Sequence, residues 1–221
     1  MILSPKFGRH IRRMNYCVEF IKNEMIWKVA DNFRDSADLS GHNMPPIDIL
    51  FVMDVLLKFD VIDCPNLFDD LRMDAAIAPT GRTLFVDRES LERWERQDRW
   101  VEKRLRFSVA HELGHFVLHK DCMTDIRFST MDQFKQWIIE HRRNKRIEDQ
   151  ADEFAGRFLV PYDILREEYD RFCQKISSAD PAWHEIEGMR AHVAKTLAPR
   201  FGVNPQVIET RFDHEDIWPL E

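Results

Sequence analysis

The stretch Phe107-Ser108-Val109-Ala110-His111-Glu112-Leu113-Gly114-His115 decides the fold and the chemistry predicted for this chain of 221 residues. On an α-helix, residues four apart lie on one face, so His111 and His115 can each direct a ring nitrogen at the same ion. Glu112 follows the first histidine, where a carboxylate can take a proton from water that the metal activates. The pattern therefore predicts a helical zinc site and points to a hydrolase.

A zinc site of this kind needs a third protein ligand and leaves a fourth position to water. Residues 147–159 carry apolar side chains at helical spacing, namely Ile147, Ala151, Phe154, Ala155, Phe158 and Leu159. Glu148 and Asp152 share one face of this predicted helix. If it packs on the histidine helix, Glu148 can complete the ligand set, and Asp152 can accept a hydrogen bond from a ligand histidine. Asp149 points roughly 100° away around the helix, and Glu153 has no acidic residue one turn further on, so both are weaker candidates.

Three segments carry these motifs: Arg106 to His119, Glu148 to Ala155 and Phe158 to Pro161. They resemble the corresponding segments of the ImmA/IrrE-type metallo-endopeptidases. Weaker similarity at Pro45 to Asp48 and at Leu197 to Pro205 extends the resemblance over roughly residues 44–212. The chain departs from the family pattern in a long basic segment between the two central motifs.

The resemblance implies a role for each site residue. His111, His115 and Glu148 would bind Zn²⁺, Glu112 would be the catalytic base, and Asp152 would hydrogen-bond a ligand histidine. The implied activity is that of a zinc endopeptidase that cleaves one regulatory protein. This substrate would be a helix-turn-helix repressor or antitoxin encoded nearby, and its cleavage would switch on a stress, mobile-element or defence response.

The alternative function is that of a non-catalytic, metal-stabilised regulatory protein that controls transcription through a partner or DNA. Such a protein would need the metal ligands but no general base. The presence of Glu112 therefore favours the enzyme.

We expect an α+β fold, in which a mainly helical, zincin-like metallopeptidase has a small antiparallel sheet beside two zinc-binding helices. An N-terminal helical segment would occupy residues 1–43, the metallopeptidase core 44–165, and a C-terminal helical segment that resembles a helix-turn-helix 166–221. Helices are also expected at 11–33 and 47–59.

The segment 75–87 predicts a hairpin beside the metal site. Ala75 to Ala78 would pair with Thr83 to Val86 across a turn that contains a proline and a glycine. In peptidases of this build, a strand near the zinc offers its edge to an extended substrate, and we expect Thr83 to Asp87 to be that edge. Alternatively, the hairpin only covers the core.

Three further segments could bind a partner or simply pack. Residues 87–106 interleave aromatic and basic side chains, as in proteins that grip single-stranded nucleic acid, but acidic residues at helical offsets favour a solvated, salt-bridged helix. Residues 123–146 predict an amphipathic helix whose cations at 141–146 suit its C-terminus; a flap that docks a protein or a nucleic-acid activator is the alternative. The last helix, 205–212, offers DNA only Gln206, Thr210 and Arg211.

Two residues near the histidine motif need separate interpretation. His119 would lie roughly 12 Å along the helix axis from His111, too far to share an ion with it, so we expect a packed or capping residue. Cys122 could fold back as an inhibitory fourth ligand whose thiolate blocks the water position, or it could be a plain buried thiol.

Composition excludes several classes of protein. The net charge of −7 disfavours general affinity for nucleic acid. The four cysteines form no Cys-x-x-Cys pair, which argues against a zinc ribbon and a disulfide framework. No apolar run approaches the ~20 residues of a membrane span, and the N-terminus lacks the apolar region of a secretion signal. We therefore expect a cytoplasmic protein with no membrane partner.

Overall fold

The computed structural model describes residues 20–120, 126–141, 144–177 and 182–218. Their elements, in chain order, are α1 (Asn23–Arg34), a 3₁₀ turn (Ala37–Leu39), α2 (Ile49–Phe51) continued by a π-helical turn (Val52–Leu56), β1 (Asp60–Cys64), α3 (Leu67–Leu71), β2 (Ala75–Ile77), β3 (Thr83–Asp87), α4 (Arg88–Glu95), α5 (Arg99–Leu118), α6 (Met131–His141), α7 (Lys145–Leu159), α8 (Tyr162–Ser177), a 3₁₀ turn (Trp183–Glu185), α9 (Met189–Phe201) and α10 (Pro205–His214). The fold is α+β and mainly helical, as predicted. No helix in these ranges is both long enough and apolar enough to cross a bilayer.

The sheet has three strands in the order β1–β3–β2. β2 and β3 form the predicted antiparallel hairpin, with Ala76 opposite Phe85. β1 runs parallel to β3 on the other side, so the sheet is mixed where a purely antiparallel one was expected. β1 is hard to detect in the sequence, because only Cys64 among its five residues is buried and because Asp60 and Asp63 are unfavourable in strands.

β3 is the central strand and cannot add another. It is hydrogen-bonded to a strand on each side, so the expectation that Thr83 to Asp87 offers an edge to a substrate is wrong. β2 is the strand of this hairpin with an unpaired edge in the sheet. Ile77 of β2 donates its backbone N–H to the Glu112 carboxylate of α5 at 2.8 Å.

The charged stretch 87–106 forms two helices, α4 and α5, instead of one. Gln97 adopts a φ of 60°, in the left-handed region, and so ends the first helix. The side chain of Asp98 then accepts hydrogen bonds from two backbone N–H groups in the first turn of α5, which caps that helix. The expected solvated ion pairs are present on α4, as Arg93–Glu89 and Arg96–Glu92.

Arg106 is buried, although the sequence predicts that the basic residues of this stretch are solvated. It is 4 % exposed, and its guanidinium donates to the carbonyl oxygens of Ile47 at 3.0 Å and Gly202 at 2.7 Å. It also pairs with Glu102 at 2.6 Å. Arg106 therefore ties the segment before α2 and the turn between α9 and α10 to helix α5.

The single helix predicted at 123–146 is divided in the structure. α6 covers only its middle part and packs Phe134 on Phe85 of β3, with ring centroids 4.4 Å apart. The cations at 145–146 begin α7 instead of ending α6. Residues 123–125 and 142–143 of the predicted helix lie outside the described residues.

A buried ionic cluster joins α7 to α1 and α10. Arg211 of α10 is 1 % exposed and pairs with Glu153 of α7 at 2.6 Å and with Glu215 at 3.2 Å. Arg157 of α7 pairs with Asp31 of α1 at 2.6 Å. Burial opposes ionisation of Glu153, but Arg211 and the other hydrogen-bond partners outweigh it and lower the pKa of Glu153. Arg211 is engaged inside the protein and is not available to a DNA base.

Helices α5 and α7 approach each other closely at Gly114. A Cβ added there would lie 3.0 Å from the carbonyl oxygen and 3.2 Å from the Cα of Ala151, which is tighter than ordinary van der Waals contact. Glycine therefore lets the two backbones touch. Gly114 lies between the two histidines of its motif, and Ala151 lies between the two acidic residues of the other motif. The distance between the motifs depends on this contact.

Replacing Gly114 by Ala should destabilise the protein, although alanine is the better helix former by about 1 kcal/mol. The added methyl must push the backbone of α7 away, and overpacking of this kind costs about 1–3 kcal/mol. Urea unfolding followed by circular dichroism measures the loss. Lys195→Ala, at an exposed position within α9, is the control and should change the stability by no more than about 0.5 kcal/mol. A Gly114→Ala variant as stable as the wild type would contradict the close packing.

Candidate metal centre

Two histidines of α5 and one glutamate of α7 converge on one point. The Nε2 atoms of His111 and His115 are 2.9 Å apart. The Glu148 carboxylate places Oε2 3.3 Å from His111 Nε2 and Oε1 3.6 Å from His115 Nε2. Ligand atoms bound tetrahedrally to zinc at about 2.1 Å are separated from one another by roughly 3.4 Å. The observed distances fall on both sides of that value, so these donor atoms fit a tetrahedral ion with only small shifts.

Asp152 orients the imidazole ring of His111. Its Oδ1 lies 2.7 Å from His111 Nδ1. Since a carboxylate can only accept, Nδ1 is assigned the hydrogen, and Nε2 of the neutral ring keeps its lone pair. Asp152 lies one turn beyond Glu148, as the sequence predicts. A carboxylate in this position also makes the histidine a stronger donor to a metal.

His115 has a neutral partner in place of a carboxylate. Its Nδ1 lies 3.2 Å from Nδ1 of His119, and Nε2 of His119 lies 2.9 Å from Oε1 of Gln150 on α7. His119 is packed and caps the end of α5, as predicted. Burial lowers the pKa of His119 and so favours its neutral form.

Glu112 is buried beside the two histidines and is held by the edge strand. It is 1 % exposed, and its Oε2 accepts the hydrogen bond from Ile77. Ligand atoms of His111, Glu112 and His115 all lie within 4.8 Å of one another, a group compatible with a metal ion. One oxygen of Glu112 is engaged by β2, whereas both oxygens of Glu148 face the histidines. Glu148 is therefore the better third ligand, and Glu112 is better placed as a base.

The rival acidic residues of α7 are engaged elsewhere. Asp149 pairs with Lys145 at 2.7 Å on the surface, and Glu153 pairs with Arg211 inside the ionic cluster. Cys122, the candidate inhibitory fourth ligand, lies outside the described residues. The structure thus brings together five of the six site residues predicted from the sequence.

The contact between His115 and His119 was not predicted, although the sequence contains a signal for it. His119 follows His115 by four residues, and side chains at that spacing on a helix are neighbours. Gln150 gives no comparable signal, because it lies roughly 200° around α7 from Glu148. The Ile77 amide is a backbone group, and its direction depends on strand pairing.

Two comparisons with known proteins bear on this site. A search of curated proteins finds no significant match to the chain. A family model, Peptidase M78, described as the IrrE N-terminal-like domain, matches residues 98–213. That range is more than half of the chain and includes both helices of the site. The chain therefore belongs to the Peptidase M78 family of IrrE N-terminal-like proteins.

Proposed function

We propose that this protein is a zinc-dependent endopeptidase whose ligands are His111, His115 and Glu148 and whose catalytic base is Glu112. The convergence of two imidazole Nε2 atoms and one carboxylate within 3.6 Å carries the proposal. Two nitrogen donors and one oxygen donor are typical of catalytic zinc, which keeps one position open for water. Membership of a peptidase family supports peptide-bond hydrolysis as the reaction.

The roles of the residues follow from their positions. Bound zinc supplies a Lewis acid that polarises the scissile carbonyl and lowers the pKa of water. Glu112 accepts the proton that water loses as it attacks the carbonyl carbon, and donates it to the leaving amine as the C–N bond breaks. The hydrogen bond from Ile77 orients the Glu112 carboxylate, and Asp152 orients the His111 ring.

The outer edge of β2 is the proposed site for the substrate backbone. Successive N–H groups of a strand point to opposite sides, and the N–H of Ala78 donates to the carbonyl oxygen of Thr83 at 2.8 Å. The N–H of Ile77 therefore points away from β3, towards Glu112. An extended peptide that adds a strand along this edge would bring a carbonyl group next to the base and the three ligands.

The proposed substrate is a regulatory protein, a helix-turn-helix repressor or antitoxin encoded nearby, whose cleavage would switch on a stress, mobile-element or defence response. This part of the proposal is supported by the resemblance to ImmA/IrrE-type peptidases. A regulatory protein that keeps a metal only for stability would not need a buried carboxylate beside the ligands. Glu112 therefore favours the enzyme over this alternative.

Glu112→Gln should retain zinc and lose cleavage. The amide oxygen can still accept the hydrogen bond from Ile77 but cannot take a proton, so the rate should fall by roughly 10²–10⁴-fold. The assay mixes purified protein, zinc and the product of a neighbouring repressor-like reading frame, and detects a discrete cut by mass spectrometry. Bound zinc is measured in parallel by atomic absorption.

Two other glutamates provide controls for this experiment. Glu148→Gln weakens a ligand and should reduce bound zinc together with cleavage, whereas Glu95→Gln, on the exposed surface of α4, should change neither. Wild-type protein that binds no zinc would refute the metal site, and a Glu112→Gln variant that cuts at the wild-type rate would refute the base. Preserved regulation by Glu112→Gln in cells would support the binding alternative.

A proline substitution in β2 tests the hydrogen bond that holds the Glu112 base, and a proline next to β2 is its control. Ile77→Pro removes an N–H that points to the site and leaves the ladder with β3 intact, so zinc should be retained while cleavage falls about tenfold or more. Ala78→Pro removes the N–H bonded to Thr83, and it should instead lower the urea concentration at which the protein unfolds. Equal cleavage by Ile77→Pro and the wild type would show that the hydrogen bond from Ile77 to Glu112 does not orient the base.

A further inference from the structure

We infer that His119 and Gln150 are positioning residues that hold His115 in the tautomer able to bind the metal. The inference rests on the proposed zinc site and deepens it. Neither residue is a proposed ligand, and both act through His115.

The three side chains form a continuous hydrogen-bonded row inside the protein. His115 Nδ1 and His119 Nδ1 are 3.2 Å apart, and His119 Nε2 and Gln150 Oε1 are 2.9 Å apart. The exposed fractions of His115, His119 and Gln150 are 8 %, 5 % and 4 %. Because buried polar groups must pair with one another where water is excluded, each bond of the row constrains the next.

The direction of the row follows from the amide of Gln150. With Oε1 assigned to the side that faces His119, the amide accepts there, so Nε2 of His119 donates. A neutral His119 then has a lone pair on Nδ1, and His115 must donate from its own Nδ1. This leaves the lone pair of His115 on Nε2, the atom that lies 2.9 Å from His111 Nε2 at the proposed ion position. In the opposite proton arrangement, His115 would carry its hydrogen on Nε2, and that hydrogen would prevent Nε2 from binding the metal.

The two ligand histidines are thus supported in different ways. The Asp152 side chain behind His111 is 56 % exposed, so its charge remains hydrated. The space behind His115 is buried, where an ionised carboxylate would be costly. A neutral histidine and an amide provide the same proton arrangement there without burying a charge.

Histidine tautomers in the metal-free protein give the decisive measurement, by long-range ¹H–¹⁵N correlation NMR. In the wild type, Nδ1 of both His111 and His115 should carry a hydrogen, and Nε2 of His115 should not. Gln150→Met removes the acceptor at nearly constant volume, and it should shift His115 towards the Nε2–H form. His111 should stay unchanged and serves as the internal control, because Asp152 is intact.

Zinc affinity, measured by competition with a chelator, gives the second readout. Gln150→Met and His119→Phe should each weaken zinc binding by roughly 10–100-fold, the usual effect of removing a partner of a ligand histidine. The matched controls are Gln136→Met and His192→Phe, at exposed helix positions, which should bind zinc as the wild type does. If His119→Phe fails to fold by circular dichroism, the nearly isosteric Gln150→Met decides the question.

The outcomes separate this inference from the proposed function. Wild-type protein without zinc affinity would refute the zinc site itself. Wild-type protein that binds zinc, together with a folded Gln150→Met variant of equal affinity and unchanged His115 tautomer, would refute the positioning role alone. A shifted tautomer with weakened binding would establish it.

Discussion

Helices α5 and α7 bring the donor groups of the proposed metal site together because residue 114 has no side chain to hold the two backbones apart. An ion accepts its ligands at about 2 Å, so donor atoms from two helices must be placed with little error. Close-packed interiors yield little to correct such errors. The contact of Gly114 with the backbone of Ala151 sets the separation. His111 and His115 lie on either side of Gly114 along α5, and Glu148 lies about one turn before Ala151 on α7. The convergence of these three side chains follows from the contact.

The side of α7 that faces away from the site is held by buried hydrogen bonds and ion pairs. Glu153 accepts hydrogen bonds from Trp27 of α1 and from Arg211 of α10, and Arg157 pairs with Asp31. Breaking a buried pair leaves an uncompensated charge, which costs about 3–5 kcal/mol, so displacement of α7 is opposed by the whole cluster. The terminal helices therefore support the position of the Glu148 carboxylate, although neither contributes a ligand.

Features that depend on periodicity within one helix could be predicted from the sequence. The spacing of His111, His115, Glu148 and Asp152 aligns each pair on one face, and packing of the two helices is enough to bring the pairs together. Features that depend on which element packs against another element could not. Asp60 and Asp63 make β1 hard to predict from the sequence. Because β1 pairs with β3, the strand that was expected at the edge is the central strand of the sheet. The directions of the Ile77 amide and the Gln150 side chain depend on such long-range contacts, and so does the division of the helix predicted at 123–146.

Within residues 148–153, helix α7 combines the Glu148 carboxylate that faces two histidines, the hydrogen-bond partners of His111 and His119, and the anchor of the ionic cluster. These side chains span roughly 200° of the helix circumference within about one and a half turns. A chimera that exchanged α7 alone with another protein would separate each of these side chains from its counterpart. Transplantation of the apparatus to a new scaffold would have to move α5, α7, α10 and α1 as a single unit.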